Sequence, residues 1–239
     1  MTGATDLDQT AQPGSPGVVL SSDGLGCNAQ TLTKERPILF GAPMVRALLD
    51  GTKTQTRRVV KGAPNDWSPI GPEWFAPTVV DRHGDEQPGA DVYGAGNEDG
   101  SEWVRCPYGA PRERLWVKET YHTSPHFDCL YRADYEDGAV LRKVVAHGGW
   151  TPSIFMPRRL SRITLEVTRV RVERLHAISE ADAWAEGLPV ELLSCSHGYA
   201  PDAYRILWGQ INGLGPWSAN PWVWVLEFQC RQNLQPNKV

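Results

Sequence analysis

The sequence predicts an α+β fold: a small β-barrel with short helices covering its ends, interrupted by one irregular acidic insertion. Three observations carry that expectation. Apolar residues alternate with polar ones at 114–121, 162–167 and 221–228, the period-two pattern of a half-buried strand. Within 162–172 the pattern slips: Ile163, Leu165 and Val167 are in phase, and Val170 and Val172 resume one residue out. A β-bulge near Thr168 and Arg169 absorbs such a slip and bends a strand as a small barrel requires. Finally, only three short segments carry helical spacing, so strands dominate.

Taken in order, residues 1–34 are rich in Gly, Ser, Pro, Thr and Gln and read as a disordered leader. Residues 36–40 form a first short strand. A helix follows from about Gly41: Pro43 suits the first turn, where its missing N–H costs nothing, and Met44, Ala47 and Leu48 share a face. Gly51 stands where helices end in the left-handed conformation. Residues 61–109 hold many of the prolines and glycines with no sustained period. They read as a long insertion with a small hairpin at 78–82, and not as a separate domain.

Regular structure resumes at 114–121, where Leu115, Val117 and Glu119 alternate with Trp116 and Lys118. Segments 129–135 and 139–145 flank Glu136-Asp137-Gly138, a hairpin signal. Ser179 with Asp182 resembles a capping box opening a helix that stops at Gly187. A further helix spans about 201–210 and buries Tyr204, Leu207 and Trp208. The last strand puts Trp222, Trp224, Leu226 and Phe228 on one face. The expected organisation is a leader (1–34), one domain (35–231) carrying the 61–109 insertion, and a tail (232–239).

The 239 residues have ordinary hydrophobic (41%) and charged (22%) content, but ten tryptophans, most of them expected in the core. The net charge of −4 argues against a nonspecific binder of duplex backbone, and it is unevenly spread. Residues 1–34 carry three acids and one Lys; residues 61–109 carry nine acids against Lys61, Arg82 and Arg105. Elsewhere 20 basic residues face 16 acidic ones. A mildly basic core with acidic appendages fits a local anionic ligand better than a long nucleic-acid track. Five scattered cysteines without a C-x-x-C pair, and the lack of a signal peptide or membrane-length apolar run, suggest free thiols in a reducing cytoplasm.

The chemistry concentrates after the first helix, where Lys53, Thr54, Thr56, Arg57 and Arg58 place five donor-rich side chains within six residues. Such a run is either a solvated basic turn or a nucleotide site. Glu186 ends its helix where the macrodipole disfavours a carboxylate, so either a cation such as Lys53 compensates it or it is solvated. Arg57 and Arg58 beside Lys53 lower its pKa, favouring a neutral amine.

The order Gly51-x-Lys53-x-x-Thr56-x-Arg58, then residues 114–119, then Ala183-x-x-Glu186-Gly187, then Asn220-Pro-Trp-Val-Trp-Val225 resembles the ASCH domain family of the PUA-like superfamily, in particular ASCH-type proteins of bacteriophages and prophages. The resemblance covers roughly 35–60 and 110–230; the leader and insertion lie outside it. It implies a PUA-like barrel with a ligand cleft beside the first helix. In the branch that hydrolyses N4-acetylcytidine it implies a catalytic set of Lys53, Thr56 and Glu186, with Arg58 holding an anionic or carbonyl group. Other relatives resemble ribonucleases or only bind RNA. Lys53 would then be base or nucleophile, Thr56 the orienting group and Glu186 the proton shuttle, with Thr54, Arg57, Arg58, Trp116, Lys118 and Glu119 as ligand-binding residues. The chain is more than twice as long as the compact amidohydrolases of that branch.

The expected ligand is a nucleoside or single-stranded nucleic acid carrying a modified pyrimidine or unpaired base, in a bacterial cytoplasm and with no membrane. The alternative is a module that binds the base without breaking a bond. No cofactor is expected. His122, His126 and Cys129 have zinc-ligand types, but Pro125 interrupts them and a fourth ligand would come from distant Cys195 or His197, so no metal is assigned. Trp116 and Trp224 are either stacking platforms or core.

Overall fold

The computed structural model describes residues 34–232 except 64–66, 126, 136–143, 145, 147 and 214. The leader at 1–33, the turn at 136–138 with its second segment 139–143, and the tail beyond 232 lie outside the described residues. The described strands are β1 (Glu35–Leu39), β2 (Gln55–Val59), β3 (Pro69–Phe75), β4 (Thr78–Val80), β5 (Glu86–Pro88), β6 (Val92–Asn97), β7 (Trp103–Arg105), β8 (Arg114–Lys118), β9 (Tyr121–Ser124), β10 (Phe127–Tyr131), β11 (Ile163–Arg174) and β12 (Trp222–Gln232). The α-helices are α1 (Ala42–Leu49), α2 (Glu180–Ala185), α3 (Val190–Cys195), α4 (Ala200–Asn212) and α5 (Gly215–Ser218).

Five strands form the central sheet in the order β1-β8-β11-β12-β2. β1 runs parallel to β8, and the other neighbours are antiparallel. The result is a mixed α+β fold dominated by sheet. Among the described residues no ladder joins β1 to β2, so the sheet is not closed by hydrogen bonds.

β12 alternates as its sequence demands, and both of its faces are covered. Trp224, Leu226 and Phe228 enter one core with Leu115, Val117, Ile163, Leu165 and Val167, sealed by Val45 and Leu48 of α1. Val223 and Val225 enter a second core against Ala203, Tyr204, Leu207 and Trp208 of α4. The register of β11 on β12 shifts between Val167 and Arg169, where the phase slip predicts a bulge.

Local signals set the helix ends. Pro43 lies in the first turn of α1 and Gly51 follows it at φ 76°. The Ser179 hydroxyl accepts the Asp182 N–H to cap α2. The buried face of α1 is Val45 and Leu48, with Met44 and Ala47 only half-buried. Helices α3 and α5 are additions to the sequence reading.

The insertion departs from expectation, because it is built from strands. β3, β6 and β7 form a three-stranded antiparallel sheet, and β4 pairs with β5 as a separate hairpin. Its Trp67 is buried and meets Trp222 edge-on at 5.9 Å between ring centroids, which ties the insertion to β12. β10 pairs with β9, so the strand at 121–124 supplies a partner that the sequence reading assigned to 139–145. No described helix is long and apolar enough to cross a membrane.

Candidate functional site

β2 is an edge strand, and its beginning is where the predicted residues meet. Just before it, Lys53 forms an isolated antiparallel bridge with Glu186, and the Thr54 N–H donates to the Ala185 carbonyl at 2.8 Å. The last turn of α2 thus covers the free edge of the strand. Gly187 makes this approach possible: at φ 73° it turns the chain away, and a Cβ there would lie 2.8 Å from the Lys53 Cβ and 2.9 Å from the Ala47 Cβ.

The close approach buries two opposite charges together. Lys53 and Glu186 are 1% and 3% exposed. The Lys53 ammonium donates to Glu186 Oε2 at 2.9 Å and to the Glu186 main-chain carbonyl at 2.8 Å. Arg57 donates to Glu186 Oε1 at 3.2 Å and to Glu173 at 2.6 Å, and its guanidinium lies 5.8 Å from the Tyr204 ring centroid. Tyr204, 3% exposed, shares a cavity wall with Glu186 and feels its charge. Cations therefore compensate the carboxylate at the helix C-terminus, the first of the two alternatives the sequence allows.

Burial, more than the neighbouring arginines, lowers the Lys53 pKa from its ordinary value; Glu186 opposes the shift, and Arg58 and Arg57 add smaller downward contributions. Burial also opposes the Arg57 charge, yet Glu186 and Glu173 outweigh it and hold its pKa above the arginine norm. The Tyr204 phenol is raised well above its norm, first by burial and then by the Glu186 charge. It is a proton-bearing donor across the physiological range.

The ion pairs continue outward. Asp182 accepts from Gln55 and Arg171 at 2.8 and 2.7 Å, and Arg171 also bonds Glu227. Burial disfavours the Asp182 charge, but its bonds to Gln55, Ser179 and Arg171 prevail and pull its pKa far below the carboxylate range. Alternating charges of this kind satisfy one another and fix the seat of α2 on the sheet.

Beside this network lies a cavity of about 190 Å³. Thr56, Arg57, Arg58, Glu186 and Tyr204 are its polar walls near the ion pair, and Met44, Leu207 and Trp208 are apolar walls. Lys53 is not among the lining residues; it sits behind Glu186. A second space of about 400 Å³, lined by Phe40, Gly41, Pro43, Ser153 and Gln210 among others, shares Met44, Arg58, Leu207 and Ile211 with the first. The two make a cleft between α1, the end of β1 and α4. Arg58 stands at their junction, 5.0 Å from the Phe40 ring centroid, with one guanidinium nitrogen donating to the Leu39 carbonyl at 2.7 Å. Among the described residues, the lining of a wider cavity of about 460 Å³ between α4 and α5 includes one charged residue, Arg205, and shares no residue with the inner cavity.

The structure brings together Lys53, Thr56, Arg57, Arg58 and Glu186. Thr54 is exposed beside them. The remaining ligand-binding expectations fall elsewhere: Trp116, Lys118 and Glu119 line neither part of the cleft. Glu119 is 2% exposed and receives a two-pronged bond from Arg162, which also grips Asp134; it is a structural anchor. Lys118 bonds the Ile154 carbonyl and lies 5.5 Å from the Trp116 ring centroid. Trp224 is 1% exposed and packs in the core. Tyr204 was legible only as a buried residue, because nothing in its spacing announces a place beside Glu186 in the cavity wall.

Among the described residues no group of three or more His, Cys, Asp or Glu side chains is placed to hold a metal ion. His126 lies outside those residues, and the His122 Nδ1 is 2.8 Å from the Gly149 carbonyl oxygen. Comparison with protein-family models, with curated proteins and with solved structures finds no match for this chain.

Proposed function

We propose that the cleft between α1, β2 and α4 binds a nucleobase or nucleotide in the manner of a PUA-like, ASCH-type domain. The observation that carries this reading is a buried ion pair whose carboxylate forms part of the wall of a small aromatic-lined cavity. Flat apolar side chains offer a base its faces, while Thr56, Arg58, Glu186 and Tyr204 offer its polar edge both donors and an acceptor. A buried ion pair contributes little to stability on balance, whereas charge held in fixed geometry beside a cavity is what recognition and proton transfer use.

In the catalytic form of the reading, the cavity holds an acylated exocyclic amine of a pyrimidine. Glu186 takes a proton from the water that attacks the acyl carbon and delivers it to the departing amine. Arg58 receives the oxygen on which negative charge develops, and Thr56 orients the base. Lys53, behind Glu186 with two protons already engaged, sets the carboxylate's charge and position; serving as nucleophile would require the pair to open.

The second reading, a module that binds without chemistry, is favoured by the same engagement of Lys53 and by the continuation of the ion pairs to Arg171 and Glu227, as in a structural network. Incubation with N4-acetylcytidine, related modified nucleosides and short oligonucleotides, followed by mass spectrometry, separates the two. The catalytic form predicts a mass loss that disappears in Glu186→Gln and falls in Lys53→Ala. The binding form predicts unchanged masses and an affinity that Arg58→Met weakens. Neither turnover nor binding with any probe refutes both.

A further inference from the structure

The acidic insertion turns an unexpectedly basic side toward the cleft. Next to the inner cavity lies another of about 340 Å³, lined by Val59, Lys61, Val104, Arg105, Pro107, Tyr108 and Trp224. Val59, Lys61 and Tyr108 belong to the walls of both, so the two spaces adjoin along the end of β2. Of the three cations in residues 61–109, Lys61 and Arg105 line this space and only Arg82 does not, while none of the eight described acids of that segment is among its lining residues.

Charge pairing sharpens the contrast. Arg36, Arg57, Arg158, Arg162, Arg171 and Arg231 each hold a carboxylate. Among the described residues Lys61, Arg105 and Arg58 form no ion pair. Lys61 and Arg105 line the outer space together with Tyr108, and Arg58 shares the inner wall with it; burial raises the Tyr108 hydroxyl above its ordinary pKa, with Arg58 near enough to oppose the shift. A protonated phenol beside cations, in a space whose described lining holds no carboxylate, is a set of donors that suits a phosphate.

We propose that the insertion builds a phosphate subsite beside the inner cavity, in which Lys61, Arg105 and the Tyr108 hydroxyl hold a phosphate attached to the ligand's ribose. The proposal rests on reading the inner cavity as the base site and extends it: the preferred ligand is a phosphorylated nucleotide, not a neutral nucleoside. The phosphate belongs either to a free nucleotide or to the backbone of a single strand.

The test is calorimetric titration of the 239-residue protein with cytidine, cytidine 5′-monophosphate, the single strand tetracytidylate and ribose 5-phosphate. It is repeated with the Lys61→Gln/Arg105→Gln variant and with Arg82→Gln as control. All three positions are exposed, so folding is not at stake. A phosphorylated cytidine probe should bind about tenfold or more tighter than cytidine, as charge-assisted bonds to phosphate supply. That advantage should vanish in the double variant and persist in Arg82→Gln. Preference for the monophosphate assigns a free nucleotide, and preference for tetracytidylate assigns a strand. Ribose 5-phosphate binding as tightly as the monophosphate, and lost in the double variant, would keep the subsite while refuting the base site. Equal binding of cytidine and its phosphorylated forms would refute the subsite and leave the base site standing. A phosphate advantage that survives the double variant, or no binding of any phosphorylated probe, would also overturn the proposal.

Discussion

Removing the Glu186 charge while keeping its shape should be among the costliest single changes in the domain. In Glu186→Gln the Lys53 ammonium, 1% exposed, loses its carboxylate partner and keeps one bond to a main-chain carbonyl at 2.8 Å. Arg57 loses the bond at 3.2 Å but retains Glu173 and Asp182. Breaking a buried pair from one side costs about 3–5 kcal/mol. Two features place this case near the lower end, about 3 kcal/mol: the arginine is still compensated, and the lysine, its pKa already lowered by burial, can shed its proton. Lys53→Met leaves Glu186 with Arg57 and should cost less, about 1–2 kcal/mol. The double variant should then be more stable than the sum of the singles implies, with a coupling of about 1 kcal/mol or more. Urea unfolding with linear extrapolation supplies the three differences. Additive effects, or Glu186→Gln costing less than Lys53→Met, would refute the idea that Lys53 depends on Glu186 for its compensation.

Gly187→Ala should destabilise the domain by more than about 1 kcal/mol, because φ 73° and the 2.8 Å approach to the Lys53 Cβ both exclude a methyl group; the melting temperature checks it. Tyr204→Phe, which removes a hydroxyl from the buried wall that Tyr204 shares with Glu186, should cost about 1 kcal/mol, read from the urea midpoint. Asp182, with its folded pKa held below the ordinary 3.8, contributes stability that is complete above that value. As pH falls below it the unfolded chain takes up a proton that the folded chain refuses, and the contribution is lost. Urea midpoints between pH 5 and 2 should therefore fall more steeply for the parent chain than for Asp182→Asn.

Local rules made much of the fold legible. The bulge announced itself because a period-two pattern records any inserted residue, and Val167 to Val170 shows the slip directly. Ser179 and Gly187 bracketed α2 because capping and the left-handed turn are decided by neighbours in sequence. The sheet order was not legible, since β1 beside β8 joins segments separated by the whole insertion. The insertion's strands were hidden by glycines that the packing requires. A Cβ on Gly94 would lie 2.3 Å from the Val104 carbonyl oxygen, and one on Gly96 2.5 Å from the Trp103 ring. Those bare positions let β7 and Trp103 lie close against β6, and they erase the alternation that identifies a strand.

The candidate site divides in the same way. Lys53, Thr56 and Arg58 stood out because they cluster in sequence, and Glu186 through the Ala183-x-x-Glu186-Gly187 resemblance, with its place at a helix C-terminus leaving both a cation partner and solvation open. Tyr204 and Tyr108 were not singled out as functional, because their roles come from elements that meet only in the fold. Glu119 belongs to the segment for which the resemblance implied a ligand contact; in the fold Arg162, more than forty residues on, bonds both of its oxygens.

A crystal structure of the protein soaked with N4-acetylcytidine tests the base site most directly. The prediction is a pyrimidine in the cavity between β2 and α4, with its polar edge within hydrogen-bond distance of Thr56 or Glu186 and its ring against the aromatic wall. A cavity that stays free of ligand at saturating nucleoside, or a base bound only between α4 and α5, would contradict it.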